Sequence, residues 1–366
     1  MKVSFLKPEM NEALANVSRA VPPRAAIPAL EGIKICLING ELEITGYDLE
    51  IGIQTKLHTD SEDFGEYVFN SRLFADIIRK MPSDTVTVEV RSDLTTTISG
   101  GSAEYNIMAI AADEYPSIPE PNIERKIVLP QPLLKNMINQ TIFAVSTSDS
   151  KPILTGELFE IENGIFNLVA IDGYKLAIRT EKLTASENYN FVVKARSLSE
   201  ISKLLSDDDS KMVEIFVSKR HINFRISNYT VISRLLEGEF HNYKGSMPSA
   251  YDTEVVIDTK PFIDCLDRCT LLLSDKVKAP VRCTFANSEV RISCTSTIGK
   301  FSDEVTAEID GPQLEIGFNC RYLLDALRAA ESDKVRLSFR GSSSPMRIMP
   351  MEGESFTFLV LPVRLK

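Results

Sequence analysis

Three histidines, at positions 58, 221 and 241, are the chain's whole supply of the side chain that titrates near neutral pH. None stands in an H-E-x-x-H pair that would hold zinc from one helix face. Neither G-x-x-x-x-G-K-[ST] nor G-x-G-x-x-G occurs to cradle a phosphate. Ser342, Ser343 and Ser344 fall in a Gly-Ser stretch with no base beside them, which reads as a solvated turn and not as a nucleophile. Asp207-Asp208-Asp209 could offer carboxylates to a metal, but no further ligand follows at a binding spacing, so a solvated loop is expected. The six cysteines, 36, 265, 269, 283, 294 and 320, contain no C-x-x-C pair and read as buried thiols. No enzyme site, metal or cofactor is expected from these residues.

The chain has a repeated element instead. In residues 166–179, Phe166, Leu168 and Ala170 alternate with polar or small neighbours, Asp172-Gly173 supplies a turn, and Leu176 and Ile178 resume the alternation: a β-hairpin. Residues 42–53 and 290–301 carry the same strand-turn-strand pattern about 124 positions before and after it, the mark of an internal repeat. Helices recur in step. Met10, Leu14, Val17 and Val21 form one apolar stripe after Pro8; Leu134, Ile138, Ile142 and Val145 follow Pro132; Phe262, Leu266, Cys269 and Leu273 follow Pro261. A second helix in each copy opens with an Arg three residues past an apolar strand residue: Phe69 and Arg72, Val193 and Arg196, Phe318 and Arg321. Pro- and Gly-containing linkers at 114–121 and 239–248 divide the chain into modules 1–121, 122–247 and 248–366. The fold class is α+β, each module carrying two helices on antiparallel sheets.

With 366 residues, 43% hydrophobic and 25% charged, each module can bury its own core. The first residues are too poor in apolar side chains for a signal peptide and no run reaches membrane-spanning length, so a soluble cytoplasmic protein without membrane contact is expected. The net charge of −10 is unevenly placed. The six predicted helices and their flanks (7–24, 70–80, 130–151, 194–203, 260–278, 319–328) hold 17 of the 41 Lys and Arg but only 9 of the 51 Asp and Glu. They stand near +8 while the remainder stands near −18. Helices turned toward a central opening would attract phosphates without reading sequence. The alternative is the ordinary preference of helix C-termini for cations.

Five stretches then carry a family resemblance: Gly46-Tyr-Asp-Leu-Glu50, Ala170-Ile-Asp-Gly-Tyr-Lys-Leu-Ala177, Ser233-Arg-Leu-Leu-Glu-Gly-Glu-Phe240, Ile316-Gly-Phe-Asn-Cys-Arg-Tyr-Leu-Leu-Asp325 and Leu359-Val-Leu-Pro-Val-Arg-Leu365. In this order, and over essentially the whole chain, the sequence resembles the bacterial DNA polymerase III beta subunit, the sliding clamp. That resemblance implies a DNA clamp fold: a head-to-tail homodimer whose six modules close into a ring around double-stranded DNA, helices lining the hole. It also implies a non-catalytic processivity factor of the replicative DNA polymerase, opened and closed by a clamp-loader complex and shared with other clamp-binding repair and replication proteins.

By the same resemblance, a partner-peptide cleft between the second and third modules uses Leu154, Ile171, Gly173, Tyr174, Lys175, Leu176, His241, Ser246, Asn319, Tyr322, Ser343, Leu361, Pro362, Val363 and Arg364. Leu154, Leu176 and Leu361 would form an apolar floor. From the residues alone, 359–365 reads equally as a core edge strand that tolerates Pro362. Arg24, Arg72, Lys151 and Arg196 are candidates for DNA contact, with plain surface cations as the alternative. Tyr105 and Ile107 of module one should meet Leu272 and Leu273 of module three across the dimer interface. The chain departs from the family at Ile171 (commonly Thr), Lys175 (Arg), His241 (Pro) and Gly245 (a larger basic residue), and adds Lys366. A lysine cannot reproduce a bidentate Arg contact, so partner preference does not carry over. Glu104 and Lys300 stand where the family tends to place Arg and Glu, a swap of interface charges. The competing readings are a peptide-binding scaffold without DNA encirclement, which need not keep its helices basic, and an enzyme whose site is built from distant residues.

Overall fold

In the computed structural model, residues 1–119, 123–183, 188–248, 250–273 and 279–365 are described. The expected module boundary at 121/122, and Lys276, Lys278 and Lys366, lie outside them.

Six helices form at the expected places: α1 (Lys7–Val17), α2 (Ser71–Lys80), α3 (Gln131–Thr141), α4 (Ala195–Leu204), α5 (Thr259–Thr270) and α6 (Cys320–Ala329). The first stripe of each pair was expected to run longer. Val21, Ile142, Val145 and Leu273 lie beyond the helix ends, because α1 and α3 pass into 3₁₀ turns at Ser18–Ala20 and Ile142–Ala144 and α5 stops at Thr270. Apolar spacing continues through such turns, so periodicity alone overshoots. Asn70 and Asn319 start α2 and α6 by accepting the backbone N–H of Leu73 and Arg321, both at 3.0 Å. Arg72 and Arg321 therefore stand on the first turn, just past an N-cap, and Arg196 holds the second position of α4.

The chain forms two compact units: residues 1–134 with 200–235, and residues 135–199 with 236–366. This division cuts across the three sequence modules because strands from different modules pair. In the first unit one sheet runs Lys2–Leu6, Thr85–Val90, Thr95–Gly100, Ala103–Met108. A second, all antiparallel, places Tyr229–Leu236 beside Ile51–His58, with Tyr229 opposite Thr55. Here α1 packs on α2, and the Phe74 ring of α2 stacks on Phe69 with centroids 4.7 Å apart.

In the second unit the antiparallel order is Tyr189–Lys194, Gly156–Glu162, Ile165–Ile171, Lys175–Lys182, Phe356–Val360, Met346–Met349, Lys334–Phe339, Thr253–Asp258, Gly299–Asp310. The last of these continues through Glu289–Ser296 and Val281–Ala286 to Leu314–Phe318. Helices α5 and α6 pack together over a core that includes Phe262, Phe285, Phe318, Phe339 and Phe358. Five of the six thiols are buried here; Cys36, in the first unit, is only half-buried, because it faces the charged outer side of its sheet beside Glu43 and Glu66.

The threefold repeat is written in two kinds of turn. Asn39-Gly40, Asn163-Gly164 and Asn287-Ser288 all take positive φ at both residues, the type I′ geometry that a two-residue hairpin requires, and they recur every 124 positions. The second turn holds Asp48, Asp172 and Ser296 at the same interval. Each side-chain oxygen accepts the backbone N–H two residues on, from Glu50 (2.9 Å), Tyr174 (2.8 Å) and Ile298 (3.3 Å). The central hairpin consequently turns on Gly173-Tyr174, one residue later than the Asp172-Gly173 expected, since the Asp172 carboxylate also receives the N–H of Lys175 at 2.7 Å.

Candidate functional site

On one face of the second unit's sheet, Leu158, Val169, Ile171, Leu176, Ile178, Val192, Tyr243 and Leu359 form an apolar cluster, with Ile153, Leu154, Leu236, Phe240 and Met247 against it. The register explains the gathering: Ile171 opposes Leu176, and Leu176 opposes Leu359 across the seam between Lys175–Lys182 and Phe356–Val360. Opposed residues share a face, so hairpin and terminal strand build one floor. Leu359 occupies the place in that floor expected for Leu361. Leu361 lies past the strand end, half-buried, its N–H donating to the Tyr174 carbonyl at 2.9 Å.

The rim is aromatic and charged. Tyr174, 60% exposed, faces Tyr322 of α6 with ring centroids 6.0 Å apart. Lys175 points inward: its ammonium donates to the Phe143 carbonyl at 2.6 Å, lies 3.6 Å from Asp172 and 3.7 Å from Asp325, and faces the Tyr322 ring at 4.9 Å. Burial and the neighbouring Asp172, Tyr174 and Asp325 raise the Tyr322 phenol, which stays neutral. The C-terminal segment is tied down by the Val363 N–H, which donates to Gly317 O at 2.8 Å. A side chain at 317 would strike the Val363 carbonyl at 2.5 Å, so Gly317 permits the approach.

The 15 predicted cleft residues divide into two groups. Leu154, Ile171 and Leu176 share the floor; Gly173, Tyr174, Lys175, Tyr322, Leu361, Pro362 and Val363 follow around the rim, and Asn319 caps the helix that carries Tyr322. His241 and Ser246 flank Phe240 and Met247, which pack on the cluster, but both side chains are exposed. Among the described residues no hydrogen bond or ion pair joins His241, Ser246, Ser343 or Arg364 to the rest.

Sequence reading missed Asp172, Asp325 and Phe143 as supports of the rim. It also missed Tyr243, whose hydroxyl donates to Glu160 at 2.5 Å while Lys244 reaches Glu160 at 3.1 Å and Glu162 at 2.9 Å. The linker at 239–248 is thereby pinned to the sheet. Only Asp172 had a signal available, its 124-residue spacing from Asp48.

Of the candidate DNA contacts, Arg24, Arg72, Lys151 and Arg196 are all exposed, and the first three make no ion pair among the described residues. Other helix cations are neutralised locally, Arg19 by Glu200 (3.4 Å) and Arg328 by Asp267 (2.7 Å). Asp208 of the acidic run accepts from both the N–H and the hydroxyl of Ser210, which lowers its carboxyl and serves the loop.

Among the strand edges without a second partner strand in the described residues, two carry the residues expected at the dimer interface. The first is Ala103–Met108, where Glu104 and Tyr105 are exposed and Ile107 half-buried. The second is the leading half of Gly299–Asp310, which pairs only with Glu289–Ser296 and presents exposed Lys300. Leu272 and Leu273 are half-buried beside Leu271, which is 80% exposed, and Ile298, 67% exposed.

The DNA polymerase III beta subunit N-terminal, central and C-terminal domain families match residues 1–119, 128–242 and 244–364 in turn. Among curated relatives, the beta sliding clamp of Bacillus subtilis (strain 168) is 36% identical over 377 residues, covering 100% of both chains. Among solved structures, the DNA polymerase sliding clamp of Bacillus subtilis superposes with a TM-score of 0.95 at 35% identity, over 100% of both chains. A DNA polymerase III beta subunit from Eubacterium rectale gives 0.94 at 34% identity, over 99% of each.

Proposed function

Because this chain belongs to the DNA polymerase III beta subunit family, we propose that two copies close head to tail into a ring that encircles duplex DNA and tethers the replicative polymerase. The observation that carries the reading is the match of all three family domains, in order, along the whole chain. The protein is a non-catalytic sliding clamp and processivity factor. Its effect is on effective concentration, since a polymerase held to a topologically linked ring rebinds the primer end faster than it diffuses away.

The modules are taken as 1–121, 122–247 and 248–366. The two unpaired edges suit strand-to-strand association between module one of one copy and module three of the other, which removes both edges from solvent. Arg24, Arg72, Lys151 and Arg196 would meet phosphates without base contacts, so binding would be independent of sequence and steeply salt-dependent. The floor around Leu176 and Leu359, with the Tyr174 and Tyr322 rim, suits a short aliphatic and aromatic peptide carried by the polymerase, the clamp loader or a repair protein. No helix of the described residues is long and apolar enough to cross a membrane, and the protein would act in the cytoplasm.

Primer extension with the cognate polymerase and clamp loader tests the tether. Wild-type protein should lengthen products on a primed circle. A variant with Tyr174→Ala and Val363→Asp, both on exposed positions, should load on DNA yet leave product length at the polymerase-alone value. Full stimulation by that variant would remove the cleft from the reading.

A further inference from the structure

The face that carries the cleft floor does not end at Leu359. Across the next strands the register runs Leu359 opposite Arg347, Arg347 opposite Ser338, and Ser338 opposite Glu254. Arg336, two residues before Ser338 and so on the same face, opposes Met349 and Val256. Arg347 therefore stands immediately beside the apolar floor, with Arg336 one strand further on.

Their chemistry is incomplete. The Arg347 guanidinium lies over the Tyr251 ring, 4.0 Å from its centroid, which fixes the plane of the fork. Arg347 Nε, Arg336 Nε and the Tyr251 hydroxyl are buried and make no hydrogen bond. Neither arginine forms an ion pair among the described residues. Glu254 accepts from Ser338 at 3.2 Å, and Glu354, which adds to the larger effect of burial in raising the Tyr251 phenol, pairs with neither arginine. By contrast Arg179, buried in the same unit, is satisfied: it donates to Thr180, Ser355 and Glu181. An oriented guanidinium without an acceptor, next to an apolar floor, is arranged to receive a carboxylate.

We infer that Arg347, stacked on Tyr251, is a specificity determinant of the cleft, selecting peptides that carry an Asp or Glu carboxylate beside their aliphatic and aromatic residues. The inference rests on the cleft reading above and deepens it. Arg347 supplies the charge-assisted bond and the floor supplies the apolar contact, so an acidic flank adds to affinity without replacing the hydrophobic anchor.

The test uses the full-length protein and two fluorescein-labelled peptides that share a Leu-Phe core, one flanked by Asp and the other by Asn, with binding read by fluorescence anisotropy. On wild type the Asp peptide should bind about tenfold more tightly, a difference of about 1.4 kcal/mol, narrowing as salt is raised. In Arg347→Met that preference should fall below about twofold while the Asn peptide keeps its wild-type affinity. Arg347→Lys, which keeps charge but loses the stacked fork, should fall between them and covers the case in which the methionine variant does not fold. An Asp preference unchanged in Arg347→Met, or absent from wild type while both peptides bind, overturns the inference and leaves the cleft reading standing. If neither peptide binds wild type, the cleft reading falls and the inference with it.

Discussion

Lys175 lies between the Phe143 carbonyl, 2.6 Å from its ammonium, and the Tyr322 ring, 4.9 Å away, with only 8% of its side chain exposed. The cation that the sequence offered as a peptide contact is an internal strut, joining the hairpin to α6 through Asp325 and to the segment after α3 through Phe143. A Lys175→Met change removes the charge and keeps the stem, leaving a carbonyl and two carboxylates without their donor. Urea unfolding should show a loss of about 1–3 kcal/mol, and peptide affinity should fall with it because the Tyr322 side of the rim loses its support. Unchanged stability would mean that water replaces the ammonium at no cost.

The matching turns at Asp48 and Asp172 differ at the next residue. Leu49 and Gly173 both take positive φ, 73° and 91°, a region that costs a branched side chain about 1–2 kcal/mol. Nothing lies within 4 Å of a Cβ placed at Gly173, so a substitution there meets backbone strain and no clash. Leu49→Gly is expected to stabilise the protein by up to about 1 kcal/mol, the relieved strain exceeding the added freedom of the unfolded chain. Gly173→Leu should destabilise by about the same amount, and thermal unfolding of the pair provides the check.

Glu157 is wholly buried in its strand, with the Thr141 hydroxyl donating to one carboxyl oxygen at 3.0 Å and the other oxygen unpartnered. Burial pushes its pKa well above the ordinary 4.5, against the smaller opposite effect of the Thr141 bond. A raised acid binds its proton more tightly when folded, so this contribution is fully present below about pH 4.5 and is lost as pH climbs toward the folded value. Glu157→Gln removes the titration. The variant's melting temperature should gain on wild type as pH rises above about 4.5. Parallel pH profiles would place the titration elsewhere.

Glu104 and Lys300 lie on the two unpaired sheet edges, both exposed. If they meet across the proposed dimer interface, Glu104→Lys should weaken dimerisation by roughly threefold, as rim ion pairs are worth at most about 1 kcal/mol. Adding Lys300→Glu should restore it. Sedimentation velocity on a dilution series decides; a Glu104→Lys protein that dimerises better than its parent contradicts the swapped pairing.

The elements legible in the sequence were those set by local chemistry. Alternating Phe166, Leu168 and Ala170 gave the central hairpin, and apolar stripes such as Met10, Leu14 and Val17 gave the helices, because burial on one face imposes its period directly. What escaped depends on partners far along the chain. Nothing near Lys175 announces Phe143 or Asp325, and nothing near Leu359 shows that it, ahead of Leu361, fills the floor; that follows from its register against Leu176. Arg347 was passed over for the same reason, since only the pairing of Met346–Met349 with Phe356–Val360 brings it to Leu359. The division of the chain into two units was hidden likewise, because pairing of Tyr229 with Thr55 joins strands from separate repeats.

Retention on DNA circles tests encirclement most directly. Protein loaded by its clamp loader onto a nicked circular plasmid should stay bound through gel filtration at high salt, and should be released once a single restriction cut linearises the plasmid. A protein that merely grips phosphates would leave circle and linear DNA at one common, salt-dependent rate, and that result would contradict the ring.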